Sequence, residues 1–142
     1  MTELPDTSFN DDVIAEFRAN GGKVGGPWRN ANLLLLHTTG ARSGESRVSP
    51  LGALHVDGRL LVVGSYGGAA INPAWVHNLR ARPQARIEIG TETVDVEATE
   101  LPVDERDAVW PRIVELAPPF GDYQDQTTRT IPVFELTRLG PA

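Results

Sequence analysis

The sequence predicts an α+β fold built on a small, mainly antiparallel barrel. Three observations support this. Its segments read in the order helix, three strands, helix, two strands, helix, strand. Two-residue turns at Asp57-Gly58 and Gly90-Thr91 join neighbouring strands, which favours hairpins over a doubly wound parallel sheet. Asn32–His37 is a short unbroken apolar run, the pattern of a strand covered on both faces.

The elements follow in order. Val13, Ile14 and Phe17 form the apolar stripe of a first helix, capped by Ser8 or Asn10 and stopped by Gly21-Gly22. Asp11, Asp12 and Glu16 lie in its early turns, where negative charge suits the helix dipole. GGKVGGPW reads as loop. After the Asn32–His37 strand comes Val48–Val56, whose Pro50 calls for an edge position or a bulge, and then Leu60–Gly64. Asn72 as cap and Pro73 at the first helical position start a helix over Ala74–Arg80, which ends before Pro83. Ala85–Ile89 and Thr93–Thr99 form a second hairpin; Val94, Val96 and Ala98 alternate with polar residues, so one face is wet. Asp104 caps a third helix containing Val109, Trp110, Ile113 and Val114, with Pro111 expected to kink or restart it. PPFGDYQDQ reads as loop before a last strand, Ile131–Leu136. Residues 1–8 read as a flexible tail and 9–142 as a single domain.

Composition narrows the function classes. The 142 residues include no Cys, which removes disulfides, thiolate metal sites and a cysteine nucleophile, and suits a reducing cytoplasm. The longest apolar stretches fall far short of the ~20 residues that span a bilayer, and the N-terminus has no signal-peptide pattern. The net charge of −6 argues against nucleic acid, but it is unevenly placed. Residues 1–17 carry five acids and no Lys or Arg. Residues 18–86 hold nine bases against two acids, and residues 87–142 four bases against twelve acids. A basic middle in an acidic protein suggests either a local anionic ligand or scattered solvated arginines.

No P-loop, dinucleotide fingerprint or nucleophile elbow is present. His37, His55 and His77 are too far apart for a motif, so they read as structural and no metal site is expected. Two stretches stand out. In His37–Leu51, small hydroxylated residues and glycines lie between strands, with Arg42 and Arg47 five apart. Such a turn can offer N–H groups, hydroxyls and guanidinium forks to a phosphate or carboxylate, or simply be a solvated hairpin loop. In Gly64–Leu79, a strand end, Gly67-Gly68 and a helix start come together, and Trp75 is either a core aromatic or a wall against a ring.

TTGARSGESRVSPL and GSYGGAAINPAWVHNL, with EFRANGGKVGG before them and DYQDQTTRTIPV after, resemble the deazaflavin-dependent nitroreductase family from about Phe17 to Val133. The order and spacing of four motifs carry the resemblance. It implies a split β-barrel like the FMN-binding barrels, with coenzyme F420 (a deazaflavin ring, a phosphate and an acidic oligoglutamate tail) as cofactor. It also implies that Thr39, Arg42, Ser43, Gly44 and Arg47 serve the phosphate and tail. Pro50 passes beside the ring, and Ser65, Gly67, Gly68, Trp75 and Asn78 border it. Tyr66 stands where some members carry Lys, which removes a cation.

On the acceptor side, Phe17, Trp75, Phe120 and Tyr123 are the expected pocket, with Ser65 and Tyr123 the candidate proton or hydrogen-bond donors. Only Tyr123 keeps a phenol where nitroreductase members have several, so a quinone or other flat conjugated acceptor fits better than a nitroaromatic. FMN in a flavin reductase or oxidase, or a non-catalytic F420 carrier, are the alternatives. The expected protein is cytoplasmic, a monomer or homodimer, with peripheral membrane contact through the first helix left open against its three acids.

Overall fold

The computed structural model describes residues 10–21, 33–41 and 43–139, with side chains from Val13 onward. The expected tail, Ser8, the side chain of Asn10, the loop after Gly21 and Arg42 lie outside them, and Asn10 is the first residue of the described helix. Helix α1 (Asn10–Ala19) is followed by β1 (Leu33–Thr39), β2 (Ser46–Gly52), β3 (Leu54–Val56) and β4 (Arg59–Val63). Then come α2 (Ala74–Ala81), β5 (Gln84–Ile89), β6 (Glu92–Glu100), α3 (Val103–Leu116), α4 (Pro119–Asp125) and β7 (Val133–Arg138).

The seven strands form one sheet in the order β2-β1-β5-β6-β7-β4-β3, and every pairing is antiparallel. β2 and β3 are its two edges, yet only Ala53 separates them in the chain. A sheet whose opposite edges are one residue apart must curl back on itself, so the chain is barrel-like, as expected. The expected strand Val48–Val56 is thereby split at Ala53, because its halves serve opposite edges. Pro50 faces Leu35 on the β2 edge strand, where a missing N–H costs least.

β1 shows how the Leu run is used. Leu34 and Leu36 join the main core with Val62, Ile87, Val96, Phe134 and α2's Trp75, Val76 and Leu79. Leu33 and Leu35 face the other way, under Val13 and Phe17 of α1. Burying those two α1 side chains is worth roughly 4 kcal/mol, and it leaves that stripe unavailable to lipid. The Arg18 guanidinium, in the last turn of α1, adds a two-pronged bond to Glu88 on β5 at 2.7 and 3.1 Å. A third cluster packs α3 and α4 against Leu54, Val56, Leu61, Val63 and Val133.

Four local expectations are corrected. α2 starts one residue later than expected, with Pro73 at the cap position and Ala74 first in the helix; Asn72 is engaged elsewhere. α3 is capped by Pro102, so Asp104 acts from inside the first turn through the helix dipole. α3 does not restart at Pro111 but continues through it as one helix, with Ile113 fully buried beneath it. Finally, the expected PPFGDYQDQ loop contains α4. Its Pro119 occupies a first-turn position, and Gly121 admits α3: a Cβ there would lie 3.2 Å from Val114 Cγ1.

Candidate functional site

The first motif forms the six-residue turn between β1 and β2, since Thr39 pairs with Ser46 and Thr38 with Arg47. Gly44 turns the chain at φ +71°, a conformation glycine adopts without strain. The turn is tied to α2 by Asn78, which is buried. Its Oδ1 accepts from the Ala41 N–H at 2.9 Å, and its Nδ2 donates to Thr38 Oγ1 at 3.1 Å.

Between turn and helix runs a groove of about 460 Å³. Gly40, Ala41 and Ser43 of the turn, Arg47 of β2 and Ala74, His77 and Asn78 of α2 line it. Arg47 brings a positive group and His77 an imidazole, and no carboxylate is among the described residues that line the groove. Arg47 is more than half exposed and, among the described residues, pairs with Glu45, itself exposed, at 3.2 Å. A ligand anion can displace so loose a partner.

The turn does not present its N–H groups as the sequence suggested. Gly40 N–H bonds Glu45 O at 2.7 Å, Gly44 N–H bonds Gly40 O at 2.9 Å, and Glu45 N–H bonds Ser43 Oγ at 3.1 Å. With Ala41 N–H held by Asn78, four donors are already satisfied inside the protein.

The second motif is a loop from the end of β4 to α2, with Tyr66–Gly68 as a 3-10 turn. Tyr66 sits at φ +49°, a left-handed conformation that a bulky residue rarely adopts. Ser65 is buried at the start of that turn. Gly68, at φ +82°, is needed by the fold itself: a Cβ there would come within 3.1 Å of Gln126 and of the Tyr123 carbonyl. The space it leaves is taken by α4.

Trp75 is 5% exposed and meets Phe134 edge-on at 5.7 Å, so it is a core aromatic. Phe17, 1% exposed under β1, is not brought to the groove either. Phe120 and Tyr123 pack edge-to-face on α4 with centroids 6.1 Å apart, both partly buried against the α3 cluster. Thus the structure gathers Ser43, Arg47 and Asn78 at the groove, and sets Ser65, Gly68 and Tyr123 around the 3-10 turn.

The sequence reading missed Arg129. It lies within the fourth motif but bonds groups 57 to 65 residues away: Gly64 O, Ser65 O, Ala69 O and Asn72 Oδ1. Burial lowers the Arg129 guanidinium below its ordinary pKa. His77, read as structural, is an exposed groove residue. No local pattern marks either one. His37 instead bonds Glu88 at 2.6 Å, beside Arg18.

The structure is thus a curled antiparallel barrel with an arginine-lined groove between the β1–β2 turn and α2. The chain belongs to the F420H(2)-dependent quinone reductase family, which it matches over residues 11–138. A Mycobacterium tuberculosis protein named F420H(2)-dependent quinone reductase is 35% identical over 130 residues, 87% of this chain and 86% of that one. Among solved structures, an F420-H2 dependent reductase (FDR-A) is 38% identical with a TM-score of 0.65, over 74% of this chain and 93% of its own. A chain described as a domain-swapped dimer is 34% identical with a TM-score of 0.68, over 89% and 92%. The heme storage protein HutZ from Vibrio cholerae, 21% identical over 93% and 92% with a TM-score of 0.58, shares the fold. The split barrel expected from the sequence is therefore the fold of this protein. No helix among the described residues is long and apolar enough to cross a membrane.

Proposed function

We propose that this protein is a cytoplasmic F420H2-dependent reductase whose preferred acceptor is a quinone, with nitroaromatics secondary. The observation that carries the reading is the groove between the 40–45 turn and α2, with Arg47 and His77 on its walls and no carboxylate among the described lining residues, in a chain of net charge −6. Its donor chemistry fits a phosphate and an oligoglutamate tail: guanidinium forks bind such oxygens at two points, and Ser43 adds a hydroxyl. Arg42 belongs to the same proposal by its place in the motif. The family membership supports F420 over FMN.

When bound, the deazaflavin supplies the hydride chemistry. The protein's own residues position and enclose. Arg47, Ser43, Thr39 and Gly44 hold the acidic end, with Asn78 fixing the turn that carries them. Pro50 and the 64–72 loop border the ring, with Trp75 backing that loop from the core. Phe120 and Tyr123 supply an aromatic wall for a flat acceptor. The Ser65 and Tyr123 hydroxyls are the donors placed nearest that loop. The α1 stripe is packed on β1, so the enzyme needs no membrane contact through it, and the one similar chain described as a domain-swapped dimer supports a homodimer.

Mixing the purified protein with reduced F420 and menadione tests this. Recovery of the oxidised deazaflavin absorbance above the uncatalysed rate is expected, with little turnover when FMNH2 replaces it. No turnover with menadione or several other quinones sinks the reading.

A further inference from the structure

We propose that Arg129 is the positioning residue that locks the ring-bordering 64–72 loop to α4, so that cofactor loop and acceptor wall move as one unit. The inference rests on the functional reading above, but its observations are separate from the groove.

One guanidinium holds four acceptors. Nε donates to Ala69 O at 2.9 Å, Nη2 to Ser65 O at 2.8 Å, and Nη1 to Gly64 O at 3.1 Å and Asn72 Oδ1 at 2.7 Å. Those acceptors span the loop of the second motif, from the residue after β4 to the residue before the α2 cap. All are neutral, and Arg129 forms no ion pair among the described residues. An arginine kept for charge pairing would sit beside a carboxylate. Here the planar fork is used for its geometry, which lysine's single ammonium cannot copy.

The same residue is fastened to α4 through its main chain. Gln124 Nε2 donates to Arg129 O at 2.7 Å, and Gln124 Oε1 accepts from Ile131 N–H at 3.1 Å and from Arg106 Nη2 at 2.6 Å. Arg106 is itself buried, 4.0 Å from the Trp110 ring centroid, and so anchors the network in α3. Phe120 and Tyr123 ride on the helix that carries Gln124. A second contact closes the circuit, since Gly68 of the loop lies against the Tyr123 carbonyl and Gln126. Hydride transfer falls steeply with small misplacements of donor and acceptor. A shared clamp on both walls is therefore a means of setting their spacing.

The test compares Arg129→Lys and Asn72→Ala with the wild type. Fluorescence titration measures affinity for F420 and for its tail-less deazaflavin–ribityl fragment; stopped-flow measures hydride transfer to menadione, and thermal melts monitor folding. Arg129→Lys is expected to weaken both ligands by the same factor, about tenfold, and to slow transfer at saturating cofactor by at least as much. Asn72→Ala, which removes one acceptor and keeps the cation, is expected to show the same pattern at about threefold. It carries the test if Arg129→Lys does not fold. Folded variants with lower melting temperatures but wild-type affinity and transfer rate overturn the proposal, because Arg129 is then only structural. Loss of F420 affinity with fragment affinity intact also overturns it, assigning Arg129 to the tail. Wild-type protein that binds neither ligand overturns the functional reading itself, and is seen in the first titration.

Discussion

Asn78 and Thr38 meet across a 3.1 Å hydrogen bond, Nδ2 donating to Oγ1, while the other end of the same amide accepts from the Ala41 N–H. One buried side chain thus joins α2, the end of β1 and the β1–β2 turn. Asn78→Ala strands a main-chain donor and a hydroxyl in a buried place, and is expected to cost about 1–3 kcal/mol in urea unfolding. Asn78→Asp keeps the acceptor, and the Thr38 hydroxyl can turn to donate, so most of the stability should return. It also places a negative charge beside the groove. F420 titration of the Asp variant should therefore show weakened binding despite a near-native melt.

Glu45 and Arg47 supply a second prediction. Both are well exposed, so their 3.2 Å pair adds little to stability, and Arg47→Ala should change it by less than about 0.5 kcal/mol. Affinity for F420 should fall markedly, and further when Arg42→Ala is added. Glu45→Gln removes the carboxylate that competes for Arg47 and should tighten binding a few-fold. On the proposed recognition by Arg47, raising salt should weaken wild-type binding more than that of Arg47→Ala. Unchanged affinity in the double arginine variant removes the groove assignment.

Glu88 gives a pH dependence with a definite sign. The Arg18 guanidinium, bonded to it through both oxygens, holds its carboxyl below the ordinary glutamate range; burial opposes this, and His37 reinforces it. A lowered folded-state pKa means the stabilisation is complete above the unfolded pKa of about 4.3 and is lost as pH falls through the folded value. Thermal melts from pH 7 to pH 3 should show wild type losing more stability than Glu88→Gln. The difference should be on the order of 1 kcal/mol, since Arg18 is half exposed and screened.

Gly68 of the 64–72 loop faces α4, whereas Gly121 lies in α4 and faces α3. Gly68→Ala must hold φ +82° and pushes a Cβ to 3.1 Å from the Tyr123 carbonyl. A cost of about 2 kcal/mol is expected. Gly121→Ala meets only Val114 Cγ1 at 3.2 Å, a side chain able to shift, so its cost should be smaller. Equal melting temperatures for the two variants would falsify the close loop–α4 contact.

Much of the fold was legible because it depends on local period and turn chemistry. The Leu33–Leu36 run, the Asp57-Gly58 and Gly90-Thr91 turns and the alternation through Val94, Val96 and Ala98 each specify an element from neighbouring residues alone. α4 was not legible: seven residues with a glycine in third place show no helical period, and they fold because α3 packs against them. The Asn72 and Asp104 caps were misplaced for a related reason. Each residue could cap locally, but Arg129 claims Asn72, and Pro102 takes the cap position before α3.

For the site, sequence alone determined the composition: two motifs rich in glycine and hydroxyls, a basic middle in an acidic chain, and Arg47 five residues after Arg42. Tertiary structure decided which groups remain free for a ligand. The turn's N–H groups looked like anion donors until their partners at Glu45, Gly40, Ser43 and Asn78 were in view. Trp75 could have been wall or core until Phe134 met it. Arg129 gained its four acceptors only when the barrel brought the 64–72 loop beside a segment some sixty residues later. Hydrogen bonding and burial are pairwise and long-range, so a residue's type limits what it can do, while its neighbours in space settle what it does.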